Sequence, residues 1–149
     1  MNKKVKNASN IISGGIEFHS HLEKYFYDQA ISENLPVQYE NKTYVLLQGF
    51  RPNNVEIYIR SGRNKIMKPF SSSIRDVTYT PDFEIEIDGK RFIIEIKGFP
   101  NDVYPLKRKL FLSIVNHGDS NIYFFEPRTK ADVDFTINEI KKIAYAEKD

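Results

Sequence analysis

Apolar and polar positions alternate with period two from residue 82 to residue 97. Phe83, Ile85 and Ile87 fall on one side with Phe92, Ile94 and Ile96. Asp82, Glu84, Glu86, Arg91, Ile93, Glu95 and Lys97 fall on the other. Between the two halves sits Asp88-Gly89, the strongest short-range hairpin signal. With those two residues as the loop, Ile87 pairs with Lys90, Glu86 with Arg91, Glu84 with Ile93, and Asp82 with Glu95. A slip of one residue would destroy the sorting of the two faces, so the pattern fixes the register.

Other stretches read less sharply. Phe18, Leu22, Phe26 and Ala30 recur at spacing four and predict a helix from about Glu17 or Ser20 to Glu33, ended by Asn34 and Pro36. Strands are predicted at Val37–Glu40, Tyr44–Gln48, Val55–Arg60 and Lys65–Phe70, with Ser61-Gly62-Arg63-Asn64 as a hairpin turn and Ser71-Ser72-Ser73 as an exposed loop. Pro105 opens a helix that runs to about Val115. The run Ile122-Tyr123-Phe124-Phe125 marks a buried strand over Asn121–Glu126, and a last helix spans about Ala131–Ala146. The order helix, strands, helix, strand, helix predicts an α/β or α+β domain built on a mixed sheet. Residues 1–15, basic at Lys3, Lys4 and Lys6 and closing on Ser13-Gly14-Gly15, read as a flexible arm, leaving 16–149 as one domain.

Composition narrows the function classes. The chain has 149 residues, enough for one domain with its own core. It has no Cys, which excludes disulfides, thiolate metal sites and cysteine nucleophiles and suits a cytoplasmic setting. No apolar run reaches the roughly 18 residues needed to span a bilayer, so no membrane partner is expected. No apolar segment follows the polar start, so no signal peptide is expected. A formal charge of +2 does not by itself demand a nucleic acid; a local basic patch would be needed. Glycine motifs that cradle phosphate are absent. His19 and His21 are two residues apart and cannot share a helix face, and His117 is remote, which argues against a histidine metal site. Most of the nine Tyr and eleven Phe fall at core spacing and read as packing rather than base stacking.

The candidate chemistry lies at the open end of the hairpin. The register sets Asp82 opposite Glu95, with Cβ atoms about 5 Å apart. Two carboxylates at that separation are destabilising unless compensated, and a divalent cation such as Mg²⁺ is the natural compensator. Lys97, two residues past Glu95 on the same face, can act as a positive charge or orient or deprotonate an attacking water. Two carboxylates, a metal and a lysine are the parts needed to hydrolyse a phosphodiester. On spacing alone, an exposed polar face accounts for Asp82, Glu95 and Lys97 equally well, and it is the better account of Glu84, Glu86 and Arg91.

The residues around this spacing carry a resemblance. Thr78-Tyr79-Thr80-Pro81-Asp82-Phe83 followed by Ile93-Ile94-Glu95-Ile96-Lys97-Gly98 resembles the PD-(D/E)XK nuclease superfamily, most of all its bacteriophage endonuclease I branch of Holliday-junction-resolving enzymes and related phage proteins. The resemblance implies a restriction-endonuclease-like mixed sheet flanked by helices. It implies an Mg²⁺-dependent endonuclease (Mn²⁺ substituting) acting on DNA, branched DNA in particular, in the host cytoplasm if the gene is a phage's. Asp82, Glu95 and the carbonyl of Ile96 would be metal ligands and Lys97 the catalytic lysine. Glu23, in Ser20-His21-Leu22-Glu23, matches a family glutamate on the first helix that completes the metal site; Ser-x-x-Glu is equally a capping box.

Lys107-Arg108-Lys109-Leu110-Phe111 resembles the lysine-bearing helix after the motif. Lys107 falls in the apolar arc between Leu106 and Ile114 on one side and Phe111 on the other, and either snorkels or reaches phosphate. Arg108 and Lys109 point outward, to DNA backbone or to solvent. Arg128 and Lys130, in Glu126-Pro127-Arg128-Thr129-Lys130, resemble phosphate contacts. The stretch Gly49–Ile74 departs from the family: it is longer and more strand-like than the bridge through which endonuclease I forms a homodimer, and an added hairpin around residues 50–75 is the other reading. Three rivals stand beside a junction-cutting enzyme: a non-catalytic DNA-binding or structural phage protein on the same fold, a nicking or restriction-like nuclease on ordinary duplex, and a protein–protein module with a solvated carboxylate face.

Overall fold

The computed structural model describes residues 11–63, 65–98, 101–118 and 121–146; Lys3, Lys4 and Lys6 lie outside the described residues. The order of elements is β1 (Ile11–Ser13), β2 (Ile16–Phe18), α1 (His21–Ser32), β3 (Val37–Tyr39), β4 (Tyr44–Leu47), β5 (Ile57–Ser61), β6 (Ile66–Phe70), β7 (Val77–Tyr79), β8 (Phe83–Ile87), β9 (Lys90–Ile94), α2 (Tyr104–Asn116), β10 (Ile122–Phe125) and α3 (Lys130–Ala144). The class is mixed α and β, as the alternation of element types predicts. No described helix is long and apolar enough to cross a membrane.

The central sheet runs β10-β9-β8-β3, with β10 parallel to β9 and the remaining pairs antiparallel. The β8–β9 register is the one the alternation dictates: Ile87 with Lys90, Glu86 with Arg91, Ile85 with Phe92, Glu84 with Ile93 and Phe83 with Ile94. Asp88 and Gly89 both hold positive φ (49° and 76°), the conformation a two-residue primed turn requires. β10 is an edge strand with half-buried side chains, not the buried strand its apolar run suggests.

One sheet face is covered by α1 and α3. Phe26 and Ala30 of α1 and Val133, Ile137, Ile140 and Ala144 of α3 close on Phe83, Ile85, Phe92, Ile94 and Ile96. α3 begins with a full capping box, Thr129 accepting from the Asp132 amide and the Asp132 carboxylate from the Thr129 amide. The other face, carrying Glu84, Ile93 and Glu95, is not open to solvent. Tyr104 and Phe111 of α2, with Leu46 and Tyr79 of the β4–β7 ladder, bury Ile93 against it. The exposed polar face expected for Glu84 and Arg91 is therefore corrected: Glu84 is buried, pairs with Arg91 at 2.6 Å, and accepts from the Tyr44 hydroxyl. Burial, more than the neighbouring Glu84 charge, pushes Tyr44 up to about 12. Glu86 is exposed as expected.

Two further differences concern the chain's first third. Residues 11–15 do not belong to a flexible arm: β1 and β2 pair across Gly14-Gly15, whose φ values of 56° and 79° suit the same primed turn, and Ile11 and Ile16 pack on the core. Phe18 sits in β2 rather than on the helix, which starts after Ser20. The added hairpin around residues 50–75 is present as β5–β6, a two-stranded sheet of its own.

Candidate active site

β8 and β9 separate as ladder partners after Phe83 and Ile94, and the site is built in the residues just beyond. The β9 chain stays pinned to the far side of the sheet: the Glu95 amide donates to the Phe125 carbonyl and the Lys97 amide to the Pro127 carbonyl, each at 3.0 Å. The intervening Ile96 amide points the other way, where a β8 partner would stand. The Asp82 carboxylate takes that place and accepts the Ile96 N–H at 2.7 Å. Backbone pairing thus fixes Asp82 against the Glu95-Ile96-Lys97 segment.

Glu95 is buried. Its Oε2 accepts from the Tyr79 hydroxyl at 2.6 Å, and its Oε1 lies 3.2 Å from the Lys97 ammonium. The Lys97 Nζ also sits 3.4 Å from the centre of the Tyr104 ring, a cation–π contact that holds the charge over the site. Burial raises the Glu95 carboxyl above its ordinary range, and the Tyr79 hydrogen bond and Lys97 charge only partly offset this.

Glu23 enters from α1 and is 6% exposed. Both readings of its sequence context bear on it. Its amide donates to the Ser20 side chain at 3.1 Å, and its carboxylate accepts from Ser20 Oγ and the His19 amide, so it closes the helix start. It also accepts from the Tyr39 hydroxyl at 2.9 Å and faces the same interior as Asp82. Asp82 records the crowding. Burial first, then the charges of Glu95 and Glu23, push its carboxyl up to about 8 against the opposing Ile96 N–H and Lys97.

The donors available to a cation are hard oxygens, the kind Mg²⁺ and Mn²⁺ select. Among the described residues no three His, Cys, Asp or Glu side chains converge tightly enough to enclose an ion unaided. The residues fit a cation held by two carboxylates and a backbone carbonyl, with water and substrate oxygens filling the rest, which is how Mg²⁺ is ordinarily bound. The mutual repulsion expressed at Asp82 is what such an ion relieves.

Beside these groups lies a cavity of about 220 Å³ lined by Tyr79, Thr80, Glu95, Lys97, Tyr104 and Lys107, among others. Lys107 therefore faces the site. Its neighbours are not those expected: Leu106 and Ile114 are exposed, and the inward arc of α2 is set by Tyr104 and Phe111, three and four residues away from Lys107. Arg108 does not point outward. Its guanidinium donates to both oxygens of Glu126 at 2.9 Å, and Tyr104 and Arg128 donate to the same carboxylate at 2.7 and 3.2 Å. Burial alone would raise Glu126; these three donors outweigh it and hold the group below its usual value. Lys109 is exposed, and it borders a larger hollow of about 710 Å³ between the end of α2 and β10, lined also by His117, Asn121 and Phe124. Lys130 is exposed at the start of α3, its ammonium 5.1 Å from the Tyr25 ring.

The structure thus gathers Glu23, Asp82, Glu95, Ile96, Lys97 and Lys107, ties Arg108 and Arg128 to Glu126, and leaves Lys109 and Lys130 at the surface. Three tyrosines escaped the sequence reading: Tyr39, Tyr79 and Tyr104 each donate a hydroxyl to one glutamate, Glu23, Glu95 and Glu126 respectively. Tyr79 lies inside the Thr78–Phe83 motif and could have been singled out there; Tyr39 and Tyr104 carry no local signal. No protein-family model, curated protein or solved structure matches the chain.

Proposed function

We propose that this chain is a divalent-metal-dependent endodeoxyribonuclease of the PD-(D/E)XK type on a restriction-endonuclease-like fold, with branched DNA such as a Holliday junction as its substrate. The observation that carries the reading is the clustering itself: Asp82 is held on the Ile96 N–H at 2.7 Å beside a buried Glu95 whose carboxylate lies 3.2 Å from the Lys97 ammonium, and the raised Asp82 carboxyl agrees with that crowding. The Ile96 hydrogen bond accounts for one Asp82 oxygen; a cation would offset the like charges that crowd the group. The fold supports the reading too, since Asp82 and Glu95-Ile96-Lys97 leave the ends of adjacent strands between α1 and α3 on one face and α2 on the other.

In this proposal Asp82, Glu95 and the Ile96 carbonyl hold Mg²⁺ or Mn²⁺, with Glu23 completing the negative charge. The bound ion supplies Lewis acidity and a water of lowered pKa. Tyr79 orients the Glu95 carboxylate through its hydroxyl. Tyr104 and Glu95 position the Lys97 ammonium to donate to the attacking water or to a phosphate oxygen. Lys107, on the wall of the same cavity, neutralises a neighbouring phosphate.

A second reading, DNA binding without cleavage, has one observation in its favour: the Glu23 and Glu95 oxygens already accept hydrogen bonds from protein donors. Cleavage separates the two. A labelled four-way junction and its matched linear duplex are incubated with wild type and Lys97→Ala, with and without Mg²⁺ or Mn²⁺. Metal-dependent cutting of the junction alone, lost in the variant, is the expected result. Equal cutting of the duplex would replace the junction specificity by a nicking activity. No cutting of either substrate by wild type in either metal would leave only the binding reading.

A further inference from the structure

We propose that the β5–β6 hairpin is a DNA-binding arm that lies in the major groove of a duplex. This deepens the nuclease reading by assigning a surface that holds the substrate, but the binding itself requires neither metal nor cleavage.

Three observations converge. The first is exposure. In the central sheet both faces of β8 and β9 are covered, whereas the hairpin leaves Tyr58, Ile59, Ile66, Met67 and Pro69 open to solvent. A two-stranded ribbon of this kind is marginally stable alone and offers unpaired edges, so it is built to lie against something. The second is charge. Residues 51–75 hold six of the chain's 22 basic residues and one of its 20 acidic residues. A second copy of so cationic a ribbon would be repelled; a polyanion would be attracted. A B-form major groove is wide enough to admit a two-stranded ribbon, whereas the A-form groove of duplex RNA is too narrow and deep, which selects DNA. Arg60 and Lys68 would reach phosphates, while Tyr58 and Met67 offer apolar contact to base edges.

The third observation is the attachment. The hairpin grows from the β4–β7 ladder through a clamped neck. Phe50 and Ile74 exchange both backbone hydrogen bonds at 3.0 and 2.7 Å, and the Gly49 amide donates to Asp76 at 2.6 Å. A side chain at Gly49 would collide with the Ile74 carbonyl, so the strands approach too closely there for any other residue. From the neck the chain leads through β7 (Val77–Tyr79) to Tyr79, the donor to Glu95, at most roughly 17 Å of extended chain away. The arm is therefore rooted close to the carboxylate cluster.

The test is binding of a fluorescein-labelled blunt DNA duplex, followed by anisotropy in EDTA across a salt series, for wild type and the triple variant Arg60→Gln, Arg63→Gln, Lys68→Gln. All three side chains are exposed, so folding should be retained, and an unchanged Tm verifies this. The expected result is affinity at least about tenfold weaker, with the slope of log K against log salt less steep by about 2 to 3, one for each lost phosphate contact. Lys142→Gln, on the far end of α3, should change neither. Equal affinity and equal slope in the triple variant would overturn the proposal, as would duplex RNA competing as well as DNA. A wild-type dimer in sedimentation that Tyr58→Ser and Met67→Ser dissociate, with DNA affinity untouched, would make the arm a contact between copies of the chain and equally overturn it. Loss of cleavage with arm-dependent binding intact would instead strike only at the nuclease reading.

Discussion

The β8–β9 hairpin and the β5–β6 hairpin are the same object in two surroundings. Each is an antiparallel ribbon of five-residue strands in simple register. In the first, both faces are clad, one by α1 and α3 and the other by α2 and the β4–β7 ladder. Two of its carboxylates turn inward and are answered, Glu84 by Arg91 and Tyr44 and Glu95 by Tyr79 and Lys97, while Glu86 stays exposed. In the second, Tyr58, Ile59, Arg60, Ile66, Met67 and Lys68 face water, apolar and cationic groups alike. Local pattern makes a hairpin; only distant residues decide whether it becomes a core with a buried site or a protruding arm. Outside residues 51–75 the chain holds 16 basic and 19 acidic residues, so the body is slightly anionic and the arm concentrates the positive charge.

The sharpest way to stress this contrast is truncation of a core ring. Phe83→Ala, at a fully buried position, is expected to cost about 3–5 kcal/mol by urea melting. A loss below about 1 kcal/mol would mean that the body is packed as loosely as the arm. Gly49→Ala, where the arm meets the body, should cost about 1–3 kcal/mol because a methyl group is forced against backbone. An unchanged melting curve there would show the neck to be unclamped.

Asp82→Asn works in the opposite direction. With its carboxyl pushed up to about 8, Asp82 keeps its proton in the folded chain over a pH range in which the unfolded chain has lost it. Metal-free stability therefore falls as pH rises through that window, and raised Glu95 adds to the slope. The Asn variant, which can still accept the Ile96 N–H, should melt above wild type near pH 8, at about 2–4 °C per kcal/mol, with the gap closing toward about pH 4. Mg²⁺ should raise the wild-type Tm more near pH 8 than at low pH and leave the variant unmoved; a variant less stable than wild type across the whole range would refute the crowding of the carboxylates. The smallest effect belongs to the arm: Met67→Ala should change stability by no more than about 0.5 kcal/mol, and a larger loss would reveal cladding that its exposure denies.

What was legible in the sequence follows the same division. The β8–β9 register, and with it the approach of Asp82 to Glu95-Ile96-Lys97, was readable because an Asp-Gly turn and strict alternation are local signals. The start of α1 at Ser20 was readable as a cap, and the added hairpin as two strands about a glycine turn. The cover over Glu84 and Glu95 was not, because it arrives from Tyr44, Tyr79 and Phe111, distant along the chain, and a buried ion pair looks the same in sequence as a solvated one. Arg108 was misread for that reason, its partner Glu126 lying 18 residues on. The β1–β2 hairpin carried a readable signal, Gly-Gly between short apolar runs, which the flexibility of glycine masked.

The three hydroxyls on Glu23, Glu95 and Glu126 also make the site visible to light. Burial and the adjoining carboxylates push Tyr39, Tyr79 and Tyr104 well above the usual phenol range. An ordinary phenol ionises near about pH 10; in a spectrophotometric titration these three should stay protonated beyond that, until alkali unfolds the protein. With no tryptophan to overlap the band, the late step in the absorbance curve would be a direct optical record of the carboxylate cluster coming apart.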